Sequence, residues 1–240
     1  MTWSIIARDG AAGQLGIAVA TRFFAVGARV PYIAAGIGAI ATQALVNPYY
    51  GIDGVRLLRD GKSPDDVVAA LLAGDHGREH RQVHVMDVHG RIAAHSGKDC
   101  VDWYGHIAGD GFSIAGNMLA GPAVLDESAK TYAANDRLPF AQRLIKAMLA
   151  GEAAGGDKRG KQSAALLIHG AEEWSALDLR VDDHADPLGE LLRLEAVSRE
   201  RWVHFRQFLP TRANPAGVTD RAIIDAGIEA AIASQRSNQA

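Results

Sequence analysis

The sequence has one cysteine, Cys100, in 240 residues. A single thiol forms no internal disulfide and no cysteine-rich zinc site, and it fits a reducing compartment. Long apolar runs are missing as well. No stretch of roughly 18 apolar residues occurs, and no cationic start leads into a hydrophobic segment. No membrane span or secretory leader is expected, and the chain reads as cytoplasmic. Neither sign of charge is in excess: 25 Lys and Arg face 28 Asp and Glu, a net charge of -3. That balance gives no electrostatic case for nucleic acid or for an anionic membrane surface. Several catalytic signatures are absent too. There is no Gly-x-Ser-x-Gly elbow, no His-Glu-x-x-His, and no glycine loop ending in Gly-Lys-Ser/Thr.

What remains is ordinary globular material. Hydrophobic residues make up 48% and charged residues 22%, enough apolar surface for a sizeable core. Strand patterns run over Thr2–Arg8, Gln14–Arg22, Val30–Ala35, Gly38–Leu45, Arg81–Val88, Arg91–Ser96, Phe112–Ala115, Gln162–Ile168 and Ala176–Val181. Helical patterns cover Gly51–Asp60, Ser63–Leu72, Ala123–Ala134, Pro139–Gly151, Pro187–Phe208 and Thr219–Ser234. Helices come in blocks rather than singly after each strand. That order argues against a doubly wound parallel sheet and for an α+β fold, two antiparallel sheets sandwiched between helical layers. Residues 1–209 read as one domain and 210–240 as a loop plus an amphipathic helix. That helix suits packing on its own subunit or on a neighbour, so a homodimer or higher homo-oligomer is one expected partner state.

The organising stretch is the first strand. Removal of Met1 would leave Thr2 with a free α-amine, placing a nucleophilic hydroxyl and a base of pKa roughly 7.7–8.0 on one residue. Methionine aminopeptidases clip Met before small residues such as Thr. The plainer reading is a β-branched residue opening a strand. Gly38-Ala39-Ile40-Ala41-Thr42-Gln43-Ala44 is crowded with small residues, which predicts close approach by a helix or a ligand.

Nine segments in order resemble one family. They are Thr2-x-Ser4-Ile5, Val19-Ala20-Thr21-Arg22-Phe23, Ala25-Val26-Gly27-Ala28, Ala41-Thr42-Gln43-Ala44, Asn47-Pro48-x-Tyr50-Gly51 and Arg81-Gln82-Val83. Further on come Gly116-Asn117-x-Leu119-Ala120-Gly121, Gly155-Gly156-Asp157-x-Arg159-Gly160-x-Gln162-Ser163-Ala164-Ala165-Leu166 and Asp178-Leu179-Arg180-Val181-Asp182-Asp183-His184. The chain resembles the bacterial domain of unknown function 1028 family over Met1 to Phe208. The resemblance implies a four-layer αββα sandwich similar to the N-terminal-nucleophile (Ntn) hydrolases, with the nucleophile on the first strand. It also implies an amide-bond hydrolase. Proteasome-type members of that superfamily carry an acid at the end of the second strand. Ala20-Thr21-Arg22 stands there instead, so their proton relay is not expected.

The candidate catalytic residues are Thr2 as nucleophile, Asn117 as oxyanion donor, Arg22 as a carboxylate anchor and Asp157 as support for the nucleophile. Gln43, Ala44, Asn47, Arg159 and Ser163 are candidate substrate-binding residues. Each has a plainer alternative: Asn117 as a left-handed turn residue, Arg22 in a surface pair, Asn47 as a turn signal before Pro48, and Asp157 with Arg159 shaping a glycine loop. Asp182, Asp183, His184 and His169 lack metal-ligand spacing, and His76, His80, His84 and His89 read as surface residues. No metal and no cofactor is expected. The expected partner is a small linear or cyclic amide. The alternative function is a non-catalytic protein that binds a small molecule or cell-wall fragment in the same cleft.

Overall fold

The computed structural model describes residues 2–237. Strands β1 (Thr2–Asp9) and β2 (Gln14–Thr21) form a hairpin, in register from Thr2 opposite Thr21 to Asp9 opposite Gln14. The Asp9 carboxylate accepts from the N–H groups of Ala11 and Ala12, an Asx turn that closes the hairpin. Strands β3 (Pro31–Ala34) and β4 (Gly38–Ala44) follow, then helices α1 (Pro48–Arg59) and α2 (Pro64–Ala73). Next come β5 (Arg81–Asp87), β6 (Ile92–Ser96), β7 (Trp103–Gly109) and β8 (Phe112–Leu119). Helices α3 (Ala123–Ala134) and α4 (Phe140–Ala153) lead to β9 (Ser163–His169), β10 (Ser175–Val181) and α5 (Pro187–Ser198). Helices α6 (Trp202–Phe205) and α7 (Arg221–Ser237) end the described chain.

The strands form two antiparallel sheets. One has the order β10-β9-β2-β1-β8-β7 and the other β3-β4-β5-β6. Helices α3 and α4 cover the outer face of the first sheet, α1 and α2 cover the outer face of the second, and the two inner faces meet. This is a four-layer αββα sandwich. Strand alternation decides what lies where. On β2, Leu15, Ile17 and Val19 face the other sheet. Gly16 sits on the opposite face, where an added Cβ would come within 2.8 Å of Leu144 and Phe140 of α4. The small residues of β2 thus mark helix packing.

Helix starts follow local chemistry. The Asn47 side chain accepts from Tyr49 N–H ahead of Pro48, and Ser63 caps α2 ahead of Pro64, Asp65 and Asp66. Two expectations are corrected. Strand β7 carries little apolar pattern because it is a half-exposed edge strand. The helix expected over Pro187–Phe208 breaks after Ser198, whose hydroxyl donates back to the Glu195 carbonyl. Arg201 (φ -148) is nonhelical before the short α6.

The chain divides into two compact units, one ending at Leu192 and the other beginning at Arg193, within α5. Inside the second unit, Arg201 pairs with Asp225 at 2.7 Å, and Gly227 of α7 leaves room for the Phe208 ring.

Candidate functional site

The even residues of β1 face the second sheet. Thr2 and Ser4 lie at its polar end, and Ile6 lies among Leu15, Ile17, Ala39 and Met86. Thr2 is the first residue of β1, flanked by Thr21 of β2 and Asn117 of β8. Its side chain is buried, and the hydroxyl donates to Thr21 Oγ1 at 3.2 Å. Its carbonyl accepts from Asn117 Nδ2 (3.3 Å) and Gln43 Nε2 (3.4 Å).

Behind Thr2 the two sheets are joined by a buried polar network. Gln82 Oε1 accepts from both Gln43 Nε2 (2.8 Å) and Asn117 Nδ2 (3.0 Å). Gln82 Nε2 faces the Gly116 carbonyl, the Gly105 carbonyl and Ser96 Oγ. Ser4 Oγ donates to Gln43 Oε1 at 2.7 Å and lies 2.9 Å from His84 Nε2. The Ser4 hydrogen is committed to Gln43, so His84 donates through Nε2, and with burial disfavouring a second proton its Nδ1 accepts from Ser113 Oγ, also at 2.9 Å. His84 is therefore a neutral Nε2–H imidazole. Burial, with His106 adding to it, pushes its pKa down to about 3.

In front of Thr2 opens a cleft of about 210 Å³. Thr2, Thr21 and Gln43 line it with Phe23, Val26, Arg29, Val30, Ala44, Leu45 and Val46. Three non-glycine residues hold left-handed backbone nearby: Ala44 (φ 69) on the cleft, Ala25 (φ 54) beside its lining residue Val26, and Met118 (φ 55) next to Asn117. Each costs on the order of 1–3 kcal/mol, and such strain concentrates at functional sites.

The structure brings Thr2, Gln43 and Ala44 together on the cleft and Asn117 directly behind it. It corrects several assignments. Asn117 lies within β8, and the left-handed residue is its neighbour Met118. Its amide nitrogen donates to the Thr2 carbonyl and to Gln82 Oε1, behind the cleft rather than into it. Arg22 follows Thr21 and so points the other way. Its guanidinium donates to the Lys161 carbonyl, and Arg29 is the cation on the cleft wall. Asn47 is spent as the α1 cap and lines a different depression. Ser163 donates to the Phe23 carbonyl (2.6 Å) and accepts from Val26 N–H, which fixes the loop over the cleft. The Asp157 carboxylate accepts from Arg22 N–H and Arg159 N–H and pairs with the Arg159 guanidinium at 3.2 Å. It lines a second, smaller cleft of about 130 Å³, shared with Thr21.

Sequence reasoning missed Gln82, His84, Ser113, Thr21 and Arg29 as parts of this region. The signal for Gln82 and His84 was their parity with Met86 on β5, which puts all three on the inner face. Among the described residues, no group of three or more His, Cys, Asp or Glu is placed to hold a metal ion, and no helix is long and apolar enough to cross a membrane.

A family of unknown function, DUF1028, matches residues 2–191. The chain belongs to this family. A solved DUF1028 structure, protein SPO2555 from Silicibacter pomeroyi, superimposes with a TM-score of 0.84. The identity is 32%, over 92% of this chain and 96% of that one. None of the curated proteins matches the chain. Membership in DUF1028 agrees with the motifs quoted from the sequence and assigns no reaction, so any chemistry has to be argued from the cleft.

Proposed function

We propose that this DUF1028 chain is an amide hydrolase of the N-terminal-nucleophile type, acting on a small linear or cyclic amide after Met1 is removed. Met1 itself lies outside the described residues. The observation that carries the reading is the setting of Thr2: the first residue of a central strand, its carbonyl held from two sides, its hydroxyl at a cleft. The Thr2 hydroxyl adds to the amide carbonyl carbon while its own α-amine takes the proton. The C–N bond then breaks, the amine leaves with that proton, and an ester remains on Thr2. Water cleaves the ester and restores the hydroxyl. Asn117 and Gln43 keep Thr2 in place through its carbonyl, and Thr21 orients the hydroxyl. His84 is neutral, buried behind Ser4 and too weakly basic to serve as the base near neutral pH.

One feature of the cleft favours the second reading, a binding protein without turnover. Among the described residues lining the cleft, Arg29 is the one with a titratable side chain. A chain whose α-amine stays blocked by Met1 has no base there, and the cleft then only binds. Thr2→Ala separates the two readings. Turnover of an amide panel is expected to vanish while the circular dichroism spectrum and ligand binding persist. Turnover retained in Thr2→Ala removes the hydrolase mechanism.

A further inference from the structure

The cleft in front of Thr2 combines two properties that select a ligand. Its walls are apolar, made by Phe23, Val26, Val30, Leu45 and Val46. Phe23 and Leu45 are 58% and 62% exposed, large apolar surfaces left in water at its mouth. Covering them removes apolar surface from water, which favours an apolar ligand. The charge at the cleft is of one sign. Arg29 touches the Phe24 and Ala25 carbonyls through Nη1 at 3.5 and 3.3 Å, and among the described residues no carboxylate pairs with it. A guanidinium with donors to spare beside an apolar wall fits a planar carboxylate joined to a hydrophobic group. Size narrows the choice further. At about 210 Å³ the cleft is smaller than the roughly 300–1,000 Å³ that holds drug-sized ligands. It suits one residue-sized group.

We propose that the amine half of the substrate is a hydrophobic α-amino acid with a free carboxylate, its side chain against Val30 and Leu45 and its carboxylate on Arg29. In an α-amino acid the carboxylate and the side chain branch from one carbon, which matches a cation set into an apolar wall. Turnover of this class rests on the hydrolase reading above; binding of it does not. Cleavage of N-acetyl-leucine by the route given for Thr2 would release leucine, then acetate from the ester.

The test is calorimetric titration of the full-length protein with N-acetyl-leucine and with N-acetyl-leucinamide, its uncharged twin, with acetate release read in the same samples. N-acetyl-leucine is expected to bind at least about tenfold more tightly. Arg29→Gln, at an exposed position, is expected to bring the two affinities together. Equal affinities in the unmodified protein, a preference that survives Arg29→Gln, or no binding of N-acetyl-leucine at millimolar concentration would each overturn the proposal. Carboxylate-dependent binding without acetate release supports the ligand class and counts against the hydrolase reading. Acetate release with no carboxylate preference does the reverse.

Discussion

Toward the Asp9–Gln14 turn, the two sheets meet through Ile6, Leu15, Ile17, Ala39 and Met86, packed together and buried. From Ser113, opposite Ile6, toward Thr2, the same two faces meet through Ser4, Gln43, Gln82, His84 and Asn117, equally buried and linked by hydrogen bonds. Strands β1, β4 and β5 serve both ends, with β2 added at the apolar end and β8 at the polar one; the burial is the same, and the side-chain chemistry differs. The apolar end holds the sheets together by area and fit, and it tolerates small shifts of one face over the other. The polar end tolerates less. Each amide and hydroxyl there has directed partners, and an unpaired one in a dry interior is costly. Such a network adds little net stability. What it adds is position, and it does so around the carbonyl of Thr2. The left-handed residues Ala44 and Met118 adjoin the network residues Gln43 and Asn117, so strain and directed bonding lie side by side.

The largest stability loss belongs to the apolar end. Ile17→Ala should lower unfolding free energy by about 2–5 kcal/mol in a denaturant titration and leave the kcat of the folded fraction unchanged. A drop in kcat comparable to one made at the polar end would erase the contrast. Gln82→Ala comes next. It leaves the Gly105 and Gly116 carbonyls without their side-chain donor and should cost about 1–3 kcal/mol. Because the change loosens Asn117 and Gln43, it should also lower kcat far more than Ile17→Ala does, and a loss of stability with normal kcat would show that the network is structural only. A third effect is one of pH and develops only in acid. His84 titrates from 6.5 when unfolded to about 3 when folded. Below pH 6.5 the unfolded chain binds the proton and the folded one does not, so stability is full above 6.5 and falls as pH drops toward 3. The slope from this residue approaches about 1.4 kcal/mol per pH unit. His84→Gln should flatten the curve in that window, and an unchanged acid slope would assign the loss to other groups.

Much of this was legible in the chain. Helix α3 was expected over Ala123–Ala134 and is found there, because its limits follow plain helical periodicity. Strand β7 was not legible. Trp103, Gly105, His106 and Gly109 give no alternation, and an edge strand needs none. His84 was read as a surface residue together with His76, His80 and His89, because the four span a loop and a hairpin. Proximity in sequence says nothing about which face a strand residue takes. The site followed the same rule. Thr2, Gln43 and Ala44, named by strand-end reasoning, line one cleft, whereas the Arg29 loop reaches it only in three dimensions. Arg22 was named from its place at the end of β2, and Arg29 was not considered; the Arg22 guanidinium donates to the Lys161 carbonyl, whereas Arg29 lines the cleft.

The central claim is that Thr2, freed of Met1, is the nucleophile of the cleft. The most direct measurement is to treat the purified, untagged protein with a hydroxyl-acylating β-lactone and map the adduct by peptide mass spectrometry. The account predicts one adduct per chain, as an ester on a peptide that begins with Thr2, and none in Thr2→Ala. A peptide that still begins with Met1, an adduct on another residue, or no adduct at all would contradict it.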